Sequence, residues 1–239
     1  NQEVATIVKL APVMSPEAVY HGNKSLTGHT ATSLSFPLSY GSADLTGFKY
    51  VDTVCLNPLN YNDSSQLTPK VLHDNFCVPD FKYQVIMQSK GLDGCDGILG
   101  LSPKDYGSRS LLPGLKRGGM IDRLLVTFSN AFHESSFKAK FHEDRESYLI
   151  FGGVNETQIV GGAEGLFSMP LANKVLNPTM FWGVEGQAFL YGDNFVWGPT
   201  IDEPMLAVID SGTTLVQVPY VAYDGLMMGI AKKVKDDPT

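Results

Sequence analysis

The chain has 239 residues, 43% of them hydrophobic and 18% charged, enough apolar content for a packed core and too much for a disordered chain. Its formal net charge of −7 argues against a nucleic-acid partner, because phosphate binding needs clustered Lys and Arg. No apolar run reaches the roughly 18 residues of a membrane helix, and Asn1-Gln2-Glu3-Val4 has no signal-peptide pattern, which leaves room for a leader already removed.

In chain order the elements read mostly as strands. Residues 33–40 alternate apolar and polar side chains, as a half-buried strand does, and Pro37 points to an edge position. Gly41-Ser42-Ala43-Asp44 is a turn, and residues 45–56 return as a second strand with Gly47 as a bulge, so Tyr40 and Gly41 sit at a hairpin tip. Residues 57–74 read as a polar loop, after which residues 75–78 resume a strand. Residues 96–101 (Asp96-Gly97-Ile98-Leu99-Gly100-Leu101) read as a buried strand between glycines. Two short helices are expected over residues 110–115 and 120–125, broken at Gly118-Gly119. Strands follow at 125–128 and 147–151, with a polar loop between them and Gly152-Gly153 ending the run. A further strand is expected from Phe181 to Tyr191, turning at Gly192-Asp193. After Pro219, the spacing of Val221, Leu226, Met227, Ile230 and Val234 predicts a helix to Val234. Its basic end, Lys232-Lys233-Val234-Lys235, is followed by two aspartates and reads as a solvated helix end.

The cysteines are Cys55, Cys77 and Cys95, in no metal-site spacing. Cys55 and Cys77 lie on the two arms of the long polar connection; a disulfide in an oxidising compartment and two buried thiols both fit them. Cys95 reads as filling an apolar position. His21, His29, His73, His133 and His142 show no metal-site pairing, so neither a metal nor another cofactor is expected. Three sequons, at Asn23, Asn62 and Asn155, lie in polar, turn-like surroundings as surface glycan acceptors do, which points to a secretory, extracellular, lysosomal or vacuolar route.

The most informative stretch is Ala207-Val208-Ile209-Asp210-Ser211-Gly212-Thr213-Thr214. An apolar run leads inward and delivers one carboxylate to a tight loop. Gly212 permits close backbone approach, and the hydroxyls of Ser211, Thr213 and Thr214 can hold a buried charge. A turn or helix-cap aspartate is the plain reading of Asp210, and the apolar run weighs against it.

This loop resembles the Asp-Thr/Ser-Gly-Thr-Thr/Ser active-site loop of pepsin-like aspartic proteases. Four further segments resemble that family in the same order across residues 33–225: the hairpin Ser39-Tyr40-Gly41-Ser42 with Leu45-Thr46-Gly47-Phe48 and Asp52-Thr53-Val54; Asp96-Gly97-Ile98-Leu99-Gly100-Leu101; Tyr148-Leu149-Ile150-Phe151-Gly152-Gly153-Val154; and Phe181-Trp182-Gly183-Val184. The resemblance implies an all-β, pepsin-like bilobal β-barrel or sandwich architecture with a few short helices, represented incompletely. Residues 1–158 would form most of the amino-terminal lobe with its flap hairpin. Residues 159–239 would form the first part of the carboxy-terminal lobe with the second catalytic loop.

It also implies the chemistry: an aspartic-type endopeptidase cleaving extended polypeptides at acid pH, with Asp210 as one of two carboxylates. Tyr40, Gly41 and Ser42 would close over substrate, though Tyr40 also reads as an ordinary hairpin aromatic. Ile98, with Leu99, would line an apolar subsite or be plain core. Gly212, Thr213 and Thr214 would shape the site, and Trp182 reads as core. The upstream Asp-Thr/Ser-Gly loop of the family has no match here: residues 1–32 lack it, and Asp44-Leu45-Thr46-Gly47 belongs to the flap turn. The expectation is therefore a chain needing segments beyond both ends, or a partner completing its lobes. Alone it should not hydrolyse peptides, and it should aggregate or stay partly open. The alternative function is a non-catalytic pepsin-like binding or structural protein.

Overall fold

The computed structural model describes residues 6–9, 20–40, 43–59, 61–91, 97–129, 148–172, 180–200, 205–213 and 215–236. Two compact units are present, one of residues 1–101 and 105–164, the other of residues 102–104 and 165–239.

In the first unit, β1 (Thr6–Lys9) is followed by β2 (His29–Tyr40) and β3 (Ala43–Cys55), which pair antiparallel with Tyr40 opposite Ala43. This is the expected hairpin. β4 (Cys77–Lys90) pairs with the other side of β3, so β2 is an edge strand among the described residues, and the missing N–H of Pro37 costs no described ladder bond. The register slips between Thr46 and Gly47, as a bulge there requires; a Cβ on Gly47 would sit 2.0 Å from the Val85 carbonyl oxygen, so no other residue fits.

Cys55 and Cys77 face each other at the end of the β3–β4 ladder and are joined by a disulfide. Of the two readings left open by the sequence, the bridge is the one realised. It closes a loop of sequence separation 22. Loop-closure entropy gives such a cross-link about 3 kcal/mol of stability, so Cys55→Ser is expected to lower the urea midpoint accordingly, and reduction of the native protein to match it.

Residues 57–74 are not wholly loop. They end in α1 (Pro69–Asp74), where the Thr68 hydroxyl accepts a hydrogen bond from the Val71 N–H at 3.3 Å and Pro69 takes the first turn. α2 (Leu111–Arg117) buries Leu111, Leu112 and Leu115. The second helix expected at 120–125 is absent: Gly119, at φ +69°, turns the chain out of α2, and Met120 and Ile121 drop into the core from irregular backbone. β5 (Val126–Ser129) and β6 (Tyr148–Phe151) pair antiparallel, and β6 also pairs with β1, giving the order β1-β6-β5. The core joins α2, β4, β6 and the residues after α2 through Val78, Phe81, Leu115, Ile121, Leu149 and Phe151.

The strand expected at residues 96–101 is not found. Residues 97–101 have no regular structure, and Ile98 and Leu99 are 46% and 47% exposed. Glycines at 97 and 100 bring no side chain to pack, and no described strand pairs with this run. Asp96 and Cys95 lie outside the described residues.

In the second unit, β7 (Gly183–Gly186), β8 (Phe189–Tyr191), β9 (Asn194–Trp197) and β10 (Met205–Val208) form two antiparallel pairs, β10-β7 and β8-β9. The strand expected through Tyr191 is thus divided, with its second part turning at Gly192 (φ +58°). α3 (Tyr220–Asp236) follows, as the apolar spacing predicts, and rests on the β8–β9 hairpin. Its glycines allow the approach: a Cβ on Gly225 would lie 3.1 Å from Val196 Cγ1, and one on Gly229 3.3 Å from Tyr191 Cδ1. The Lys233 ammonium sits 5.9 Å above the Tyr191 ring.

Candidate active site

The Asp210 loop is set by the β7–β10 pair. Val208 is the last paired residue, opposite Gly183, and one more bond continues the ladder: the Ile209 N–H donates to the Trp182 carbonyl at 2.8 Å. Trp182 is half-buried. The chain then leaves the sheet at Asp210 and turns at once, the Thr213 N–H donating to the Asp210 carbonyl at 3.3 Å.

Within this turn the carboxylate collects two donors. The Gly212 N–H reaches Oδ1 at 2.9 Å and the Thr213 hydroxyl reaches Oδ2 at 2.6 Å. The Thr213 hydroxyl first, then the Gly212 amide, hold the Asp210 carboxyl below the usual carboxylate range, with slight burial acting the other way. Thr213→Val is therefore expected to move the Asp210 titration upward toward the ordinary aspartate value, read by carboxyl-carbon NMR; an unmoved titration would assign the shift elsewhere.

The expected burial of this carboxylate is corrected. Asp210 is exposed, as are Ala207, Val208 (44%) and Ile209 (66%). The apolar run does form strand, but its sheet has only two strands among the described residues, and nothing described covers its outer face. Ser211 is exposed and Thr214 lies outside the described residues.

Of the residues expected in the flap, Tyr40 closes β2 opposite Ala43, while Gly41 and Ser42 lie outside the described residues. Beside them the Ser39 hydroxyl donates to Asp44 Oδ1 at 3.2 Å. Ile98 belongs to the exposed irregular run of the first unit. Asn23 and Asn62 are exposed. Asn155 is half-exposed, its Oδ1 accepting from the Thr157 hydroxyl at 2.7 Å and the Thr157 N–H at 3.2 Å.

A second carboxylate with a built environment escaped the sequence reading. Asp52 on β3 is buried, with donors from Tyr20, Thr27 and its own neighbour Thr53. The sequence marks it only as part of the Asp52-Thr53-Val54 match in the hairpin, which gives no hint of partners 25 and 32 residues away. No helix among the described residues is long and apolar enough to cross a membrane.

The chain is similar to several known proteins. The polyporopepsin of Irpex lacteus is 26% identical over 202 residues, covering 79% of this chain and 49% of that protein. Vacuolar protease A of Neurospora crassa is 27% identical over 207 residues, covering 84% and 44%. Gastricsin of Suncus murinus is 24% identical over 220 residues, covering 92% and 49%. The chain thus spans about half the length of these relatives. The crystal structure of the aspartic proteinase from Irpex lacteus superposes with a TM-score of 0.61 at 21% identity, over 90% of this chain and 56% of that one, a likeness of fold. The family model for eukaryotic aspartyl proteases matches residues 8–237, the Asp210 loop included. On the strength of that match along nearly its whole length, the chain belongs to the eukaryotic aspartyl protease family.

Proposed function

We propose that this chain is part of an aspartic endopeptidase that hydrolyses extended polypeptides at acid pH, and that Asp210 is one of its two catalytic carboxylates. The observation that carries this reading is the Asp210 carboxylate itself, exposed, and kept ionised by Thr213 and Gly212 rather than by a basic group.

In the reaction an ionised carboxylate takes a proton from water as the water oxygen attacks the scissile carbonyl carbon. A protonated carboxyl gives its proton to the carbonyl oxygen; the carboxyl that took the water proton then passes it to the amide nitrogen, a hydroxyl of the tetrahedral intermediate returns a proton to the other carboxylate, and the amine is expelled. No acyl-enzyme forms. The second carboxylate would come from an Asp-Thr/Ser-Gly loop outside these 239 residues. The two groups titrate as a pair, so one proton is shared and the low value of Asp210 alone is its value before a like charge approaches. Tyr40, Gly41 and Ser42 would close over the substrate, with Ile98 on an apolar subsite and Thr214 beside the acid. Residues 1–158 would be most of an amino-terminal lobe and residues 159–239 the start of a carboxy-terminal lobe. The disulfide and the exposed Asn23 and Asn62 support a secretory or vacuolar route with N-glycans at Asn23, Asn62 and Asn155.

Peptide mapping and intact mass of the natural protein test this reading, together with acid cleavage of an unfolded substrate and its block by pepstatin. A species well above 26.0 kDa after glycan removal, with an upstream Asp-Thr/Ser-Gly peptide and pepstatin-sensitive cleavage, is expected. A mature species of about 26.0 kDa with no upstream peptide and no cleavage would favour the non-catalytic binding protein.

A further inference from the structure

We propose that Asp52 is an acid-operated latch: its ionised carboxylate fastens residues 20–28 to the β3–β4 sheet, and its protonation releases them while the sheet stays formed. The proposal is independent of the peptidase reading.

The main-chain bonds of this segment close on the segment itself. Lys24 N–H donates to the His21 carbonyl at 2.9 Å, Ser25 N–H to the Gly22 carbonyl at 3.3 Å, and Gly28 N–H to the Ser25 hydroxyl at 3.0 Å. Ladder pairing to β3 starts only at His29, opposite Val51. Among the described residues, side-chain contacts carry the segment to the sheet before that point, and their hydrogen bonds converge on Asp52. The Tyr20 hydroxyl donates to Asp52 Oδ2 at 2.7 Å, and the Thr27 hydroxyl donates to Oδ1, which also takes the Thr53 N–H at 2.7 Å. The Tyr20 ring meets Tyr50 and Tyr83 edge-on, at centroid distances of 5.6 and 5.5 Å. The chain passes so close that a Cβ on Gly28 would lie 2.8 Å from Asp52 Oδ2.

Asp52 is 6% exposed, and hydroxyls and an amide meet it in place of a salt bridge. From the segment, Tyr20, Ser25 and Thr27 face it; from β3, Thr53 and Tyr50 lie beside it; from β4, Phe81 stands opposite and Tyr83 nearby. His21, Lys24 and His29 on the segment are exposed, as is Lys82 next to Phe81. Burial pushes the Asp52 carboxyl up, but the bonds from Thr27, Ser25, Tyr20 and the Thr53 amide outweigh it and hold the group below the usual carboxylate range. Burial, then Tyr83 and Asp52, push the Tyr20 phenol far upward, so it stays a donor.

The sign follows from the lowered value. The fastening is fully present above the unfolded aspartate value of about 3.9 and is lost as pH falls through the lower folded value. A protonated carboxyl presents an O–H where a donor already points, so at least one of the bonds from Thr27, Ser25, Tyr20 and the Thr53 amide must break or reverse. The β3–β4 ladder does not pass through this side chain and remains.

Hydrogen exchange on the natural protein from pH 6 to pH 2, corrected for intrinsic rates, tests the latch. In the wild type, protection of the Lys24, Ser25 and Gly28 amides is expected to fall at least tenfold below the ordinary carboxylate range while residues 77–90 stay protected. Asp52→Asn keeps His21 and His29 yet should leave the segment open at every pH. Tyr20→Phe, the milder variant, removes one donor and should move the opening to higher pH. Protection of 20–28 that persists to pH 2, that is lost together with residues 77–90, or whose midpoint is unmoved in Tyr20→Phe would overturn the proposal.

Discussion

Asp210→Asn is expected to remove acid peptidase activity from the natural protein while leaving its melting temperature unchanged. A carboxamide is nearly the same shape. Its oxygen still accepts one bond, from Gly212 or Thr213, so the turn that both bonds close is retained. It cannot take a proton from water or share one with a second carboxylate. General acid–base assistance is worth on the order of 10² to 10⁴ in rate, and that is the expected loss in kcat/KM. Stability should move by no more than about 0.5 kcal/mol, because Asp210 is exposed. Cleavage of an unfolded protein at acid pH, beside a thermal melt, reads both quantities. Activity retained in the variant would remove Asp210 from the chemistry; activity and stability lost together would make it a structural turn residue.

The Asp210 loop was legible because its information is local. Four residues, Asp-Ser-Gly-Thr, carry the turn, the backbone approach and both donors, and the structure realises that arrangement within three positions of the acid. The hairpin around Tyr40 and helix α3 were legible for the same reason: turn chemistry in one, apolar spacing in the other. Burial was not legible, because it depends on what comes to lie against an element. Val208, Ile209, Ile98 and Leu99 are as apolar as any core residue, yet all four are exposed, since neither run is covered by a described neighbour. The Asp52 cluster fails in the opposite direction. A carboxylate in a strand gives no forecast of burial, and its partners Tyr20 and Thr27 arrive from another element. Helix α1 was missed although Thr68-Pro69 spells out its start, because the polar composition of the preceding residues outweighed a two-residue signal.

Phe151→Ala is expected to destabilise the first unit more than any other single truncation in its core. Phe151 is 1% exposed and ends the central strand of the β1-β6-β5 sheet, opposite Thr6 on one side and Val126 on the other. It belongs to the cluster in which α2 and β4 meet that sheet, with Leu111, Leu115 and Phe81 among its members. The following Gly152 N–H donates to the Leu125 carbonyl at 2.8 Å, so the backbone there is tied and cannot settle into the void. Removing the ring costs its transfer free energy plus a cavity term, about 3–5 kcal/mol for Phe→Ala. For a unit of this size that corresponds to a melting shift on the order of 10 °C. Phe128 provides the internal comparison. It lies on the neighbouring strand β5, opposite Leu149, yet is 43% exposed, and its truncation should cost about 1 kcal/mol or less. Denaturant midpoints of the two variants separate burial from aromatic content: near-equal losses would mean that the β1-β6-β5 sheet, not the α2–β4–β6 cluster, sets the stability of this unit.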